Sequence, residues 1–367
     1  MPYEQLLYPP TLVAGRASVG PAFVSAIRES RTFRLAVCLQ LLASAVICAL
    51  AHRPMLIGLV DSYETFLSAA VVFGSMALAV AVFRERARTP ARLPATAAYR
   101  DAWKLLRAEL LTAEYVVNVA IVFAVAPIAI SAFSAAKQAI PFVHPFTWDA
   151  RIAALGVRLH GVAPMWALMQ PFLGHPNLTI AMDWFYHRFW TAAMLGSFVG
   201  GALLRPSPLR RQYLLSVVLL FLIVGTLGAF FFASAGPAYY GSVVGGSPNP
   251  YAPLFQYLRG VDLQAGLMSL RGEQTLWFAY THRIEGFGLG ISAMPSMHVA
   301  SAALTALFGF AVRRWLGVLL VLITIATWIA SVNLGWHYSL DGYVGVVLAC
   351  CIWWFAARVA ALGNAAP

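Results

Sequence analysis

Charge is what this chain most lacks. Asp, Glu, Lys and Arg together supply 11% of its 367 residues, about half the share of an average soluble domain. Hydrophobic residues supply 60%, and the mean hydropathy is +0.74. A water-soluble globular domain is thereby excluded. Lysine is nearly absent: of 25 basic residues only Lys104 and Lys137 are lysine. The four cysteines, Cys38, Cys48, Cys350 and Cys351, all fall inside apolar runs and none has metal-ligand spacing. They offer neither a disulfide framework nor a thiolate metal site. There is no internal repeat, no low-complexity linker, no signal-peptide pattern at the start, and no carboxylate cluster suited to a divalent cation.

What is present is a series of apolar stretches near membrane length. Crossing the ~30 Å hydrocarbon core takes ~20 apolar residues. About eight stretches approach this, at roughly 33–51, 66–83, 115–134, 186–204, 213–233, 295–312, 315–331 and 340–357. The expected fold class is all-α, a polytopic integral membrane bundle. Its first part, 1–134, holds three spans and a basic amphipathic stretch, Pro94 to Thr112, expected on the inner surface. Its second part, 135–367, holds five spans and all the motif-like chemistry. Within that part, Arg151 to Leu173 carries Arg158, His160 and Pro164 and reads as an interfacial or re-entrant helix. The Gly/Pro/Tyr-rich stretch 236–292 reads as a long outer loop, of the kind that forms lids and binding surfaces.

A formal net charge of +11 raises the question of nucleic acid. The arginines answer it, because they sit in alternate loops as topology determinants. Arg84, Arg86, Arg88, Arg92, Arg100, Lys104 and Arg107 lie between the second and third stretches. Arg205, Arg210 and Arg211 lie between the fourth and fifth, and Arg313 and Arg314 between the sixth and seventh. Arg16, Arg28, Arg31 and Arg34 precede the first stretch, and Arg358 follows the last. By the positive-inside rule these loops and both termini face the cytoplasm. No nucleic-acid partner is expected; the partners are the bilayer and its lipids. Arginine in place of lysine, with abundant alanine, points to a GC-rich bacterial genome and hence to a bacterial inner membrane.

Ionisable groups at membrane depth are costly and are functional candidates by default. Two such groups end the chain's motifs. Ala293-Met294-Pro295-Ser296-Met297-His298 opens the sixth stretch, and Gly335-Trp336-His337-Tyr338-Ser339-Leu340-Asp341 opens the eighth. Both fall on the outer side. His337 and Asp341 are four residues apart, so on a helix they share one face. The carboxylate then holds one ring nitrogen and leaves the other free to attack.

Pro-Ser-x-His, two further spans' worth of chain, and Gly-x-His-Tyr-x-x-Asp resemble the second and third signature motifs of the type 2 phosphatidic acid phosphatase superfamily. Ala-Met-Pro-Ser-Met-His and the upstream Ala235-Gly236-Pro237-Ala238-Tyr239-Tyr240 resemble its phosphotransferase branch, which includes inositol phosphorylceramide synthases and sphingomyelin synthases. The resemblance implies a six-helix catalytic core with two extra N-terminal spans. The superfamily's first motif, Lys-x6-Arg-Pro, is absent, and the Ser-Arg that opens its third motif is Ala330-Ser331 here. The phosphate is therefore left without its usual cations.

By this resemblance His337 attacks phosphorus and forms a phosphohistidine, Asp341 steadies it, and His298 protonates the leaving oxygen and then deprotonates the acceptor. Ser296 and Tyr240 are candidates to orient phosphate oxygens. Arg283 is the first candidate for the missing cation, ahead of Arg259 and Arg271, with helix N-terminal N–H groups in support. Asp149 and Asp183 are weaker candidates to line the site. No cofactor or metal is called for. The expected activity is movement of a phospho-head group between lipids at the outer membrane face. A lipid phosphate or polyprenyl pyrophosphate phosphatase is the alternative, and a non-catalytic lipid transporter of the same fold is an alternative of another class. Oligomeric state, head group, donor and acceptor are not legible in the sequence.

Overall fold

A computed structural model describes residues 19–88, 96, 112–246 and 248–362. The described residues are helical throughout, with no strand among them. The helices are α1 (Val19–Glu29), α2 (Arg31–Leu50), α3 (Leu59–Arg88) and α4 (Ala113–Val143). Next come α5 (Asp149–His160), α6 (Met165–Leu173) and α7 (Pro176–Trp184), which runs through a π-turn at Phe185–Phe189 into α8 (Trp190–Ala202). Then follow α9 (Pro208–Phe231), the short α10 (Tyr240–Val243), α11 (Ala252–Ala265) and α12 (Met268–Thr281). The chain closes with α13 (Met297–Val312), α14 (Arg314–Asn333) and α15 (Ser339–Leu362).

Each of the eight apolar stretches lies on a helix. Among the described residues, five helices are long and apolar enough to cross a membrane, α2, α4, α9, α14 and α15, and this is an integral membrane protein. The bent pair α5 and α6, at 62° across its break, makes a sixth if counted as one span. Gly161 at φ 93 and Pro164 stand at that break, where a helix is hardest to continue. The segment 151–173, expected as an interfacial or re-entrant helix, is this bent pair, whose length and composition suit a broken span or a re-entrant element. α13 is apolar but only 16 residues long, about 24 Å. It stops short because its first residues are spent on the site rather than on lipid.

Local rules explain the helix starts. Ser207 accepts from the Arg210 N–H and is followed by Pro208 at the first helical position, where no N–H is missed. Thr112 and Ser296 cap α4 and α13 in the same way. Burial separates the central helix from the outer ones: 72% of the apolar window of α9 is buried, against 28–39% in the other four. The face of α2 at Leu35, Leu39, Leu42 and Val46 is exposed, as is that of α14 at Val318, Leu322 and Ile325. In a membrane such faces meet lipid. α9 lies against α2, α13 and α15, and the α13–α14–α15 hairpin packs on itself.

Two expectations are corrected here. A boundary at 134/135 falls inside α4, which continues unbroken to Val143. The stretch 236–292 is not an open loop, because α10, α11 and α12 fold over one end of the bundle around Leu254, Leu258 and Leu267. The amphipathic stretch expected at 94–112 lies, save for residues 96 and 112, outside the described residues.

Candidate active site

Three segments meet at one end of the bundle. The Ala293 N–H donates to the Ser234 carbonyl at 2.9 Å, and the Met294 N–H to the Ser234 hydroxyl at 3.0 Å. The Ala238 N–H donates to the Gly335 carbonyl at 3.1 Å, and the Ser296 N–H to the Asp341 carbonyl at 3.0 Å. Residues 234–240, 293–298 and 335–341 are thus stitched together through backbone. Gly236 has φ 100, and a Cβ there would lie 2.7 Å from the Trp336 carbonyl oxygen. Only glycine allows that approach.

His337 and Asp341 are brought together, but not on one helical face: α15 begins at Ser339, and His337 lies in the turn that precedes it. Nδ1 of His337 lies 3.3 Å from Oδ2 of Asp341, and both residues are buried. The same Oδ2 accepts from the Tyr338 N–H at 2.9 Å. With Nδ1 turned to the carboxylate, Nε2 is the nitrogen left for chemistry. His298 begins the first turn of α13. Its ring is stacked on Tyr186, with centroids 4.6 Å apart, and sits 4.0 Å from the Trp190 ring. The two histidine rings have centroids 6.1 Å apart and are tilted 59° to one another.

Both histidines line a cavity of about 530 Å³ that runs inward between α4, α8, α9 and α13. Its walls are mostly apolar, including Phe66, Phe133, Phe198 and Leu220. Tyr213 and Gly225 of α9 both line it, and twelve residues of helix rise about 18 Å. That depth matches one leaflet, about 15 Å of hydrocarbon. Among the described residues lining it, Lys137 of α4 is the one Lys, Arg, Asp or Glu side chain.

The other candidates are placed elsewhere. Ser296 is fully buried and its hydroxyl caps α13 by accepting from the Val299 N–H. Tyr240 packs on Tyr251; its neighbour Tyr239 is the one that lines the cavity. Arg283 is not brought to the histidines: it is exposed, at φ 56, with its guanidinium over the Phe142 ring. Arg259 borders a separate, outer cavity, and Arg271 is turned back onto the Gly266 carbonyl. The sequence separation between Arg283 and His298 gave no hint that the intervening turn carries the arginine away.

Asp149 and Asp183 do not line the cavity; they hold the segments that do. Asp149 accepts from the Ala235 and Gly236 N–H groups at 2.9 and 2.8 Å and from the Tyr338 hydroxyl at 2.8 Å. Asp183 accepts from the first N–H groups of α12, Met268 and Ser269, and lies 3.3 Å from Nδ1 of the cavity-lining His187. Ser269 in turn accepts from the Trp336 indole N–H at 3.3 Å. Beside this network burial, and then the Asp183 charge, push the Glu273 carboxyl well above the usual carboxylate range. Tyr186 and Trp190 carry no motif of their own, and only their place around His298 marks them; Lys137 is followed by His144-Pro145 at the spacing of the first motif, with histidine where that motif has arginine, and this is the signal that could have found it.

A family model of the PAP2 superfamily matches residues 151–355, more than half of the chain, and the chain belongs to that superfamily. It is accordingly a membrane enzyme of lipid phosphatase or phosphotransferase type. Neither curated proteins nor solved structures give a match. No group of three His, Cys, Asp or Glu able to hold a metal is found among the described residues.

Proposed function

We propose that the protein transfers a phospho-head group from one lipid to another through a phosphohistidine on His337, as inositol phosphorylceramide synthase-like enzymes do. The observation that carries this is the pair of histidine rings, 6.1 Å between centroids, at the end of an apolar cavity about one leaflet deep. That separation leaves room for one phosphoryl group. Near-attack geometry needs ~3–3.5 Å between nucleophile and phosphorus, and an acid must lie about 2.6–3.2 Å from the oxygen it protonates.

The donor's hydrocarbon tail lies in the cavity and its phosphate between the rings. The Nε2 lone pair of His337 forms the N–P bond as the P–O bond to the leaving oxygen breaks. His298 delivers a proton to that oxygen, and the first product leaves as an alcohol. The acceptor's O–H then returns a proton to His298 as its oxygen bonds to phosphorus and the N–P bond breaks. Asp341 offsets the positive charge that His337 gains while phosphorylated. The arginine distribution sets the site on the periplasmic side of a bacterial inner membrane, with both termini cytoplasmic.

Water as acceptor makes the same machinery a phosphatase. The apolar walls favour an alcohol acceptor that arrives with its own hydrocarbon. The test is to incubate the purified protein in detergent with labelled phospholipids, with and without lipid alcohols, and to identify products by mass spectrometry. A new lipid whose appearance depends on the alcohol is expected. Free phosphate regardless of alcohol makes the protein a phosphatase. Absence of turnover with every lipid in the panel favours a non-catalytic transporter.

A further inference from the structure

We infer that the deep end of the catalytic cavity is a chain-length gauge: the Tyr213 ring stops the tail of the bound lipid, so the protein selects lipids whose chain is about one leaflet long and disfavours polyprenyl chains. This rests on the proposed lipid phosphoryl transfer and specifies the tail that the same cavity takes.

The depth is set by α9. Gly225 packs beside Met297, the residue before His298: a Cβ at Gly225 would lie 3.2 Å from the Met297 sulfur. The ~18 Å of helix from Gly225 to Tyr213 is therefore measured down from the histidines. It is close to the ~15 Å of hydrocarbon in one leaflet. Tyr213 on α9 and Thr305 on α13 are the lining residues farthest from the histidine end of their helices, and Ser197 on α8 reaches the same level.

Three hydroxyls meet there. Those of Tyr213 and Ser197 lie 2.8 Å apart, and those of Ser197 and Thr305 3.3 Å apart. The Ser197 hydroxyl donates to the Met194 carbonyl at 3.1 Å, and the Thr305 hydroxyl to the Ser301 carbonyl at 2.9 Å. The cluster satisfies its own donors and calls for no polar ligand. Hydroxyls that only glued helices together would have no need to face a cavity, yet all three line it. They end an apolar tunnel whose walls above them include Phe198, Val217, Leu220 and Leu304, all buried.

The floor is packed and braced. Tyr213 is 1% exposed, and its ring stacks on Phe308 with centroids 4.3 Å apart. Gly201 lies so close on the other side that a Cβ there would overlap the ring. Beyond the ring, buried Arg210 donates to the Ala202 carbonyl at 3.0 Å and the Asn118 carbonyl at 3.2 Å, and the Tyr115 hydroxyl donates to the Leu203 carbonyl at 2.8 Å. These bonds fasten α4, α8 and α9 together just past the tunnel. A longer chain meets packed side chains and then fastened helices. At the other end the lining residues Thr191 and Gly288 are exposed, so the cavity opens beside the histidines and closes at Tyr213.

Straight-chain alcohols probe the tail without a phosphate. Purified full-length wild type, Tyr213→Ala and Val217→Phe are equilibrated in detergent micelles with decanol, tetradecanol and docosanol at equal mole fraction. The retained alcohol is read by native mass spectrometry, beside melting temperature. The same proteins are given phospholipid donors with tetradecanoyl or docosanoyl chains, and a polyprenyl phosphate. Wild type is expected to retain tetradecanol roughly 10- to 100-fold over docosanol, the range that follows from forcing extra methylenes into a packed interior. Donor turnover is expected in the same order. Tyr213→Ala removes the floor, and the ratio is expected to fall toward one. Val217→Phe sets a ring one turn above Tyr213, and the preference is expected to move to decanol. If Tyr213→Ala does not fold, Val217→Phe carries the comparison. Equal retention of tetradecanol and docosanol by wild type, or the wild-type preference kept in a folded variant, overturns the gauge. So does faster turnover of the polyprenyl phosphate than of the tetradecanoyl donor. Turnover of phospholipid in the same preparation then leaves the proposed reaction standing. A preference for tetradecanol without turnover of any donor keeps the gauge and overturns the reaction.

Discussion

The hydroxyl of Tyr338 donates to Oδ1 of Asp149 at 2.8 Å, across 189 residues of sequence. Through its own N–H the same tyrosine holds Oδ2 of Asp341 at 2.9 Å. One residue thus joins the carboxylate that fastens the Ala235–Gly236 segment to the carboxylate that orients His337. Tyr338→Phe removes one hydrogen bond from Asp149 and leaves its two backbone donors. The loss is expected to be about 1–3 kcal/mol, as for a buried polar group deprived of one partner. Melting temperature should fall by a few degrees, and kcat by less than tenfold with KM little changed. Tyr338→Phe behaving as wild type in both measurements would show that the two carboxylates are independent.

His337→Ala should abolish turnover, because a nucleophile is not bypassed by its neighbours. His298→Ala should keep slow turnover with lipids that carry good leaving groups, since general-acid help is typically worth ~10²–10⁴-fold. An acid-labile phosphoenzyme should form in wild type and be lost in His337→Ala. Its persistence in that variant moves the nucleophile elsewhere.

The parts of the site that were legible in the sequence are those set by local spacing. The contact of His337 with Asp341 was legible from their four-residue spacing, although His337 lies in the turn before α15 rather than on the helix, whereas Ser296, expected to orient phosphate oxygens, caps α13 instead. The apolar stretches were legible because hydrocarbon thickness fixes their length. Tertiary placement was not legible. Arg283 follows the end of α12 at a positive φ that no residue pattern announced, and the turn carries it to Phe142. Lys137 was passed over because His144 stands where the first motif has arginine, and it lines the cavity because α4 runs past residue 134. Asp149 was a candidate to line the site, but it binds the Ala235–Gly236 backbone and the Tyr338 hydroxyl on two other segments instead.

Ser242 lies on α10 in the outer segment and is exposed. On the proposed topology it lies with the histidine motifs on the non-cytoplasmic side. Ser242→Cys should react with an impermeant thiol reagent in intact cells. Gly335 is nearer the histidines but a poor position for this test. It has φ 79, and a Cβ there would lie 2.4 Å from the Phe255 ring. Labelling of Ser242→Cys only after permeabilisation inverts the topology.

Asp341→Asn is expected to fold normally and to lose most of kcat with little change in KM. Asp341 is fully buried, its Oδ2 holds both the His337 ring and the Tyr338 N–H, and its Oδ1 has no protein partner. Asparagine keeps the size and still accepts from the Tyr338 N–H, so the turn into α15 survives. It carries no charge, however, and its amide offers the histidine a donor as readily as an acceptor. The wrong tautomer then presents a protonated Nε2 to phosphorus. Stabilisation of a phosphorylated, positively charged His337 exists only along the reaction path, and losing such a contact lowers kcat and kcat/KM together. If the carboxylate serves only to hold the turn, the pattern reverses: melting temperature drops while kcat stays near wild type. Both quantities measured on one preparation separate the two. Turnover at wild-type speed in Asp341→Asn would remove the dyad from the mechanism, and His337 would then need another partner to set its tautomer.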